Sequence, residues 1–241
     1  MSKNIVIAVD GTSTTIQNVE KLVTDLPGGG TCDWIPSDEA GTGSTFLYSL
    51  GSYYGSTEGE GIASLSCALS GPVGCKALLI VMHRDSISVP GMTLIDSTKV
   101  PNFDQWISVY SKVMTSASET VTITQATASR MCACSIYVNA ETTLSGPALQ
   151  AFDTGASDFQ YTIAASNKPR LAVINHASAG NSYTTITPPH TALPADLTGT
   201  SQTVRMAAFI VQDVTSVVYS NQTAADSSAT ANNRLYLYEI N

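Results

Sequence analysis

At 241 residues the chain has room for one large β domain, or for a β domain carrying a smaller segment. Charged residues make up only 12% of it and the formal net charge is −8, so Ser and Thr supply most of the polar surface and no basic cluster is available to neutralise phosphates. That balance excludes nucleic acid and anionic membranes as expected partners, and no apolar run approaches the ~20 residues a membrane span requires.

The chain starts with MSKNIVIAVDG, in which the apolar run meets Asp10 and Gly11 too early to be the apolar region of a secretory signal. The expectation is synthesis and folding in a cytoplasm. Residues 4–9 read as a short strand. In TSTTIQNVEKLVTDL, Ile16, Val19, Leu22, Val23 and Leu26 fall at helical spacing behind Thr14 or Thr15 as a cap, which predicts a helix of two to three turns stopped by Pro27 and Gly28-Gly29-Gly30. Residues 31–60 are rich in Gly, Ser, Thr and Tyr and hold at most two short strands, around 32–35 and 45–50. Residues 1–58 are therefore read as an N-terminal attachment or oligomerisation segment, and residues 59–241 as the main domain.

The main domain reads as strand after strand. GIASLSCAL alternates Leu65, Cys67 and Leu69 against Ser64 and Ser66. Four strands then follow in a row: ALLIVMHRD, GMTLIDST, QWISVYSKVM and TVTITQ, joined by Ser/Pro/Gly/Asn/Asp-rich connectors. In the third, Ile107, Val109 and Val113 share one face while Trp106, Ser108, Tyr110 and Lys112 share the other; in the fourth, Val121 and Ile123 face in while Thr122 and Thr124 face out. This period-two pattern is that of an antiparallel sheet with one buried face. SRMCACSIYVN makes another strand, and residues 140–157 make a long connection. DFQYTIAA alternates, while PRLAVINHAS is apolar on both faces and so reads as a central, doubly covered strand. A proline-rich loop over 188–203, the strand TVRMAAFIVQDV, a short SVVY strand and a polar excursion over 221–233 lead to RLYLYEI. That closing strand is apolar on both faces and is expected in the middle of a sheet. Ten or eleven strands at regular spacing predict an all-β fold, an antiparallel two-sheet sandwich. No internal repeat of fixed period is visible.

Five cysteines, Cys32, Cys67, Cys75, Cys132 and Cys134, lack CxxC spacing and are odd in number. Cys132 and Cys134 point the same way on one strand, beside Ile136 and Val138, as small core residues. Pairing of Cys67 with Cys75 across a hairpin and a metal site gathering four of the five are the other readings.

The run from LLIVMHRD to IYVNAE resembles the jelly-roll modules of bacteriophage tail, baseplate and fibre proteins. Its anchors are Pro90-Gly91-Met92-Thr93-Leu94-Ile95 and Val109-Tyr110-Ser111-Lys112-Val113, with PRLAVINHAS and NNRLYLYEI as later matching strands over residues 60–241. Met92 departs from the pattern, where Trp is commoner. The resemblance implies a jelly roll and a virion location, and carries no active-site motif.

Candidate chemistry is sparse. His83 and Asp85 share a face at the end of an apolar strand, but no nucleophile turn accompanies them. His176 reads as a hydrogen-bonded core residue and His190 lies in a loop, so no metal site is expected. Asp38, Glu39, Glu58, Glu60, Asp153 and Asp158 read as loop carboxylates. The aromatic face of Trp106 and Tyr110, with Lys112 beyond it, suits a sugar ring, because C–H faces stack on aromatics while hydroxyls hydrogen-bond. The expected protein is therefore a non-enzymatic virion component with no cofactor. It would be a homo-oligomer, a trimer by expectation, meeting other virion proteins and host-surface glycan. A carbohydrate-active enzyme or its binding module, and a capsid or decoration protein, are the alternatives.

Overall fold

The computed structural model describes residues 4–9, 12–17, 22–26, 30–34, 47–55, 61–100, 104–153, 159–162, 168–176, 181–187, 205–211, 216–223 and 233–241. Side chains are described for 47–55, 61–100, 104–147, 168–174, 206–211 and 234–241. Every regular element among these residues is a strand, and every pairing is antiparallel.

Near the N-terminus β1 (Asn4–Val9) pairs with β2 (Thr12–Gln17), and β3 (Leu22–Leu26) pairs with β4 (Gly30–Trp34). The helix expected behind Thr14 or Thr15 is therefore corrected to two strands. Thr12, Thr14, Thr15, Ile16, Val23 and Thr24 are all β-branched, stiff at χ1 and at home in extended chain. A helical apolar stripe also needs a surface to cover it, and here strand pairing wins.

Eight strands follow: β5 (Tyr48–Gly55), β6 (Ile62–Ser70), β7 (Lys76–His83), β8 (Ile87–Ser88), β9 (Thr93–Lys99), β10 (Trp106–Val113), β11 (Ser118–Ser129) and β12 (Cys132–Val138). They form a five-stranded sheet in the order β5-β12-β7-β10-β9 and a three-stranded sheet in the order β6-β11-β8. Seven more are β13 (Leu144–Asp153), β14 (Phe159–Thr162), β15 (Arg170–His176), β16 (Asn181–Thr187), β17 (Arg205–Val211), β18 (Ser216–Thr223) and β19 (Asn233–Ile240). Their sheets run β13-β19-β15-β17 and β14-β18-β16.

The second set repeats the first. In chain order, the first, last and third strands of each set lie side by side, followed by β10 in the first set and β17 in the second; the second, penultimate and fourth strands make the smaller sheet. Only β9 lacks a counterpart among the described residues. The register repeats as well. His83 faces Trp106 and His176 faces Arg205; Met82 faces Cys132 and Ile107, and Asn175 faces Arg234 and Met206. Val138 faces Tyr48 just as Ile240 faces Leu144. Each set spans about a hundred residues, the size of an independent domain. Strand β5, from ahead of residue 59, belongs to the first set.

The two sets meet through their larger sheets. Leu78, Ile80 and Met82 of β7, Ile107 and Val109 of β10, and Cys132, Cys134, Ile136 and Val138 of β12 form one core with Leu171, Val173, Met206, Ala208, Ile210, Tyr236 and Tyr238. The opposite face of the same five-stranded sheet, with Ala77, Leu79, Val81, Tyr110, Ala133 and Tyr137, packs on Cys67, Leu69, Val121 and Ile123 of the three-stranded sheet. The expectation of one buried face therefore holds for β6 and β11 but not for β7, β10 and β12, which are covered on both sides. Strand β15 is interior and fully buried over Leu171–Ile174, as its two-faced apolarity requires, and closing strand β19 lies between β13 and β15. The loop expected over 188–203 lies outside the described residues, and part of the long connection over 140–157 is strand β13.

Candidate functional site

Strands β7, β10 and β9 lie side by side, and their register places His83, Trp106 and Lys99 in one row across the sheet. Trp106 is the middle member. The His83 ring stacks on it with centroids 6.2 Å apart and planes 16° from parallel, and Lys99 Nζ sits 4.9 Å from its centroid. Lys99 in turn meets Asp104 at 3.4 Å, an exposed pair of small energetic weight. The indole is thus flanked on both sides rather than presented as a flat platform.

Tyr110 is not on an outward face. It is 7% exposed and packs in the core with Val121 and Ile123, because the three-stranded sheet covers this side of β10. Burial raises its phenol pKa. Lys112 is engaged by Glu119. The three residues expected to form a sugar-binding face, Trp106, Tyr110 and Lys112, are therefore respectively flanked, buried and paired.

Glu119 closes the turn that joins β10 to β11. Its carboxylate accepts from Lys112 Nζ, from Thr115 N at 2.7 Å, from Thr115 Oγ1 at 2.9 Å and from Ser116 N at 3.0 Å. The lysine first, then these donors, hold its pKa down to about 2 against an ordinary 4.5. Because the folded value is depressed, the stability it contributes is fully present above pH 4.5 and is lost as the pH falls toward 2. Glu119→Gln is expected to flatten the acid limb of stability in that window. Urea denaturation at stepped pH measures this, and a limb as steep as in the wild type would refute it.

His83 is buried and makes two ring contacts. Nδ1 lies 2.7 Å from the carbonyl oxygen of Asp85. A carbonyl only accepts, so Nδ1 carries the proton. Nε2 lies 2.8 Å from Ser108 Oγ, which is itself 2.8 Å from Ser97 Oγ. The carboxylate of Asp85 does not orient the imidazole; it bonds Ser86 N at 2.7 Å. A hydrogen bond from the Thr127 side chain, together with those to Ser86, keeps its pKa low. The Ser108–His83 contact has the spacing of a nucleophile and its base. Ser108 is only 1% exposed, however, and no substrate atom can reach its hydroxyl. Sequence reasoning missed this pair because Ser108 meets His83 only through strand register.

Other candidate residues stay apart. The His176 side chain and His190, like Asp38, Glu39, Glu58, Glu60 and Asp158, lie outside the described residues, and Asp153 ends β13. Cys67, Cys75, Cys132 and Cys134 are buried and form no disulfide, so Cys67 and Cys75 do not pair; burial pushes the Cys67 and Cys132 thiols up to about 12. Among the described residues no group of three or more His, Cys, Asp or Glu could hold a metal ion, and no helix is long and apolar enough to cross a membrane. No protein-family model, no curated protein and no solved structure matches this chain.

Proposed function

We propose that this chain is a structural protein of a bacteriophage virion, and that it builds the particle's shell from two jelly rolls fused in tandem. The observation that carries the reading is the recurrence of one strand order and one register in β5–β12 and β13–β19. Counting β5–β12 as strands one to eight, the sheets run one-eight-three-six-five and two-seven-four, and the one-eight-three-six and two-seven-four runs support the jelly-roll reading. Jelly rolls of this kind build viral capsids. Low charge and a layered core give a rigid block, and buried cysteines that form no disulfide among the described residues fit a protein that needs no oxidising compartment to fold. Symmetric self-association, a trimer in the first instance, is the natural way for such a block to tile a closed surface. Tail, baseplate or fibre service is the second reading, supported by the resemblance at Pro90–Ile95 and Val109–Val113.

Electron microscopy of purified particles labelled with antibody to this chain separates the two. Dense labelling over the whole shell is the expected result. Label confined to a tail would favour the second reading, and absence from purified particles would reject both.

A further inference from the structure

We propose that His83, Ser108 and Ser97 form an acid-responsive relay, through which an imidazole buried between two β layers takes up a proton from the exposed face of β9 and weakens the contact between those layers. The inference is independent of the virion reading.

The geometry is that of a chain that can run in either direction. With His83 neutral, Ser108 donates to Nε2 and Ser97 donates to Ser108. With His83 charged, Nε2 donates to Ser108 Oγ and Ser108 donates on to Ser97. Nδ1 keeps its bond to the Asp85 carbonyl in both states. No hydrogen bond is broken by protonation, so the site accepts the charge without unfolding first. Ser97 is exposed, so its hydroxyl connects the wire to water. His83 itself is 4% exposed, at the end of a strand covered on both faces.

What opposes the proton is desolvation, and the charges around the ring do little to offset it. Asp85 favours the charged form, and its carboxylate is already engaged by Thr127 and Ser86. Arg84, the next residue along the chain, acts on Arg130. Beyond Trp106 stands Lys99, with Asp104 against it. Ile87–Ser88 of β8 and Val121–Ser129 of β11 bring no ionisable group, and Trp106 and Ser108 of β10 bring none. Burial is the first cause holding the imidazole pKa below its ordinary 6.5. A folded value below the unfolded one means that stability is whole above pH 6.5 and is lost as the pH falls from there toward the folded pKa. His176 holds the equivalent register position in the second set of strands, so both sets carry a histidine at the end of the same interior strand.

The stack on Trp106 supplies the readout, because a protonated imidazole against an indole changes its fluorescence. The chain has two tryptophans, and Trp34→Phe in the full-length protein leaves Trp106 as the reporter. The expected result is a one-proton change in emission with its midpoint below pH 6.5, absent when His83→Gln is added. Ser108→Ala should move the midpoint lower still, since the charged ring loses its acceptor. Between about pH 7.5 and about pH 5, the wild-type melting temperature should fall relative to that of His83→Gln. A midpoint at or above 6.5, an emission change that survives His83→Gln, or parallel melting profiles would overturn the proposal. Should His83→Gln fail to fold, a nitrogen NMR titration of the wild type decides the matter: retention of the Nδ1 proton together with a midpoint below 6.5 supports it, and any other result refutes it.

Discussion

Leu79→Ala and Ile80→Ala are each expected to destabilise the protein by about 2–5 kcal/mol, although the two residues are neighbours in the chain and point in opposite directions. In a sheet with one wet face, one of any such pair would be a surface residue worth less than about 0.5 kcal/mol. Here Leu79 packs with Cys67, Leu69, Val121 and Ile123, and Ile80 packs with Leu171, Val173, Ala208 and Tyr236. Each truncation removes buried methyl and methylene groups and leaves a void that strands on both sides hold open. Thr122→Ala, on the exposed side of β11, is the control and should lie within about 0.5 kcal/mol of wild type. Urea denaturation of the three variants tests the arrangement. A neutral Leu79→Ala or a neutral Ile80→Ala would mean that one of the two facing layers is not there.

Gly71→Ala should cost as much as a core truncation, at or above the top of the about 1–3 kcal/mol usual for overpacking. A Cβ at Gly71 would stand 2.5 Å from Cδ1 and 2.7 Å from Cε1 of Tyr137. That ring cannot step aside: it is 1% exposed, and its hydroxyl accepts a hydrogen bond from Ser70 N at 2.6 Å. The backbone at position 71 is also held, by Gly71 N donating to the Ala117 carbonyl at 3.1 Å. Reduced freedom of the unfolded chain offsets only about 0.4–1 kcal/mol of the strain. Because the clash is with the ring, Gly71→Ala combined with Tyr137→Leu should be less destabilised than the sum of the two single changes. Strict additivity in denaturant melts would place the strain elsewhere.

Much of the first set of strands was legible because alternation is a local signal. Val121 and Ile123 against Thr122 and Thr124 fixed the buried side of β11, and the two-faced apolarity of PRLAVINHAS and RLYLYEI placed β15 and β19 inside a sheet. The same logic failed at Tyr110 and Trp106. An amphipathic Tyr–Ser–Trp face reads as outward, and only the layer laid over it reveals that it is inward. It failed over Thr12–Leu26 for a related reason: apolar spacing cannot choose between a helix and a strand until the partner surface is known. The Ser97–Ser108–His83 chain was beyond reach, since its members come from three strands and meet only through register.

The amino-acid order by itself determined that this is an all-β protein of low charge, where most of its strands run, that β15 and β19 lie inside a sheet, and that Cys132 and Cys134 serve as core residues. Tertiary structure alone decided that the strands divide into two sets of the same order and register, set larger sheet against larger sheet, with a histidine enclosed at the end of β7. The physical reason is that side-chain alternation is written into neighbouring residues, whereas strand order and the meeting of faces come from contacts between segments far apart in sequence.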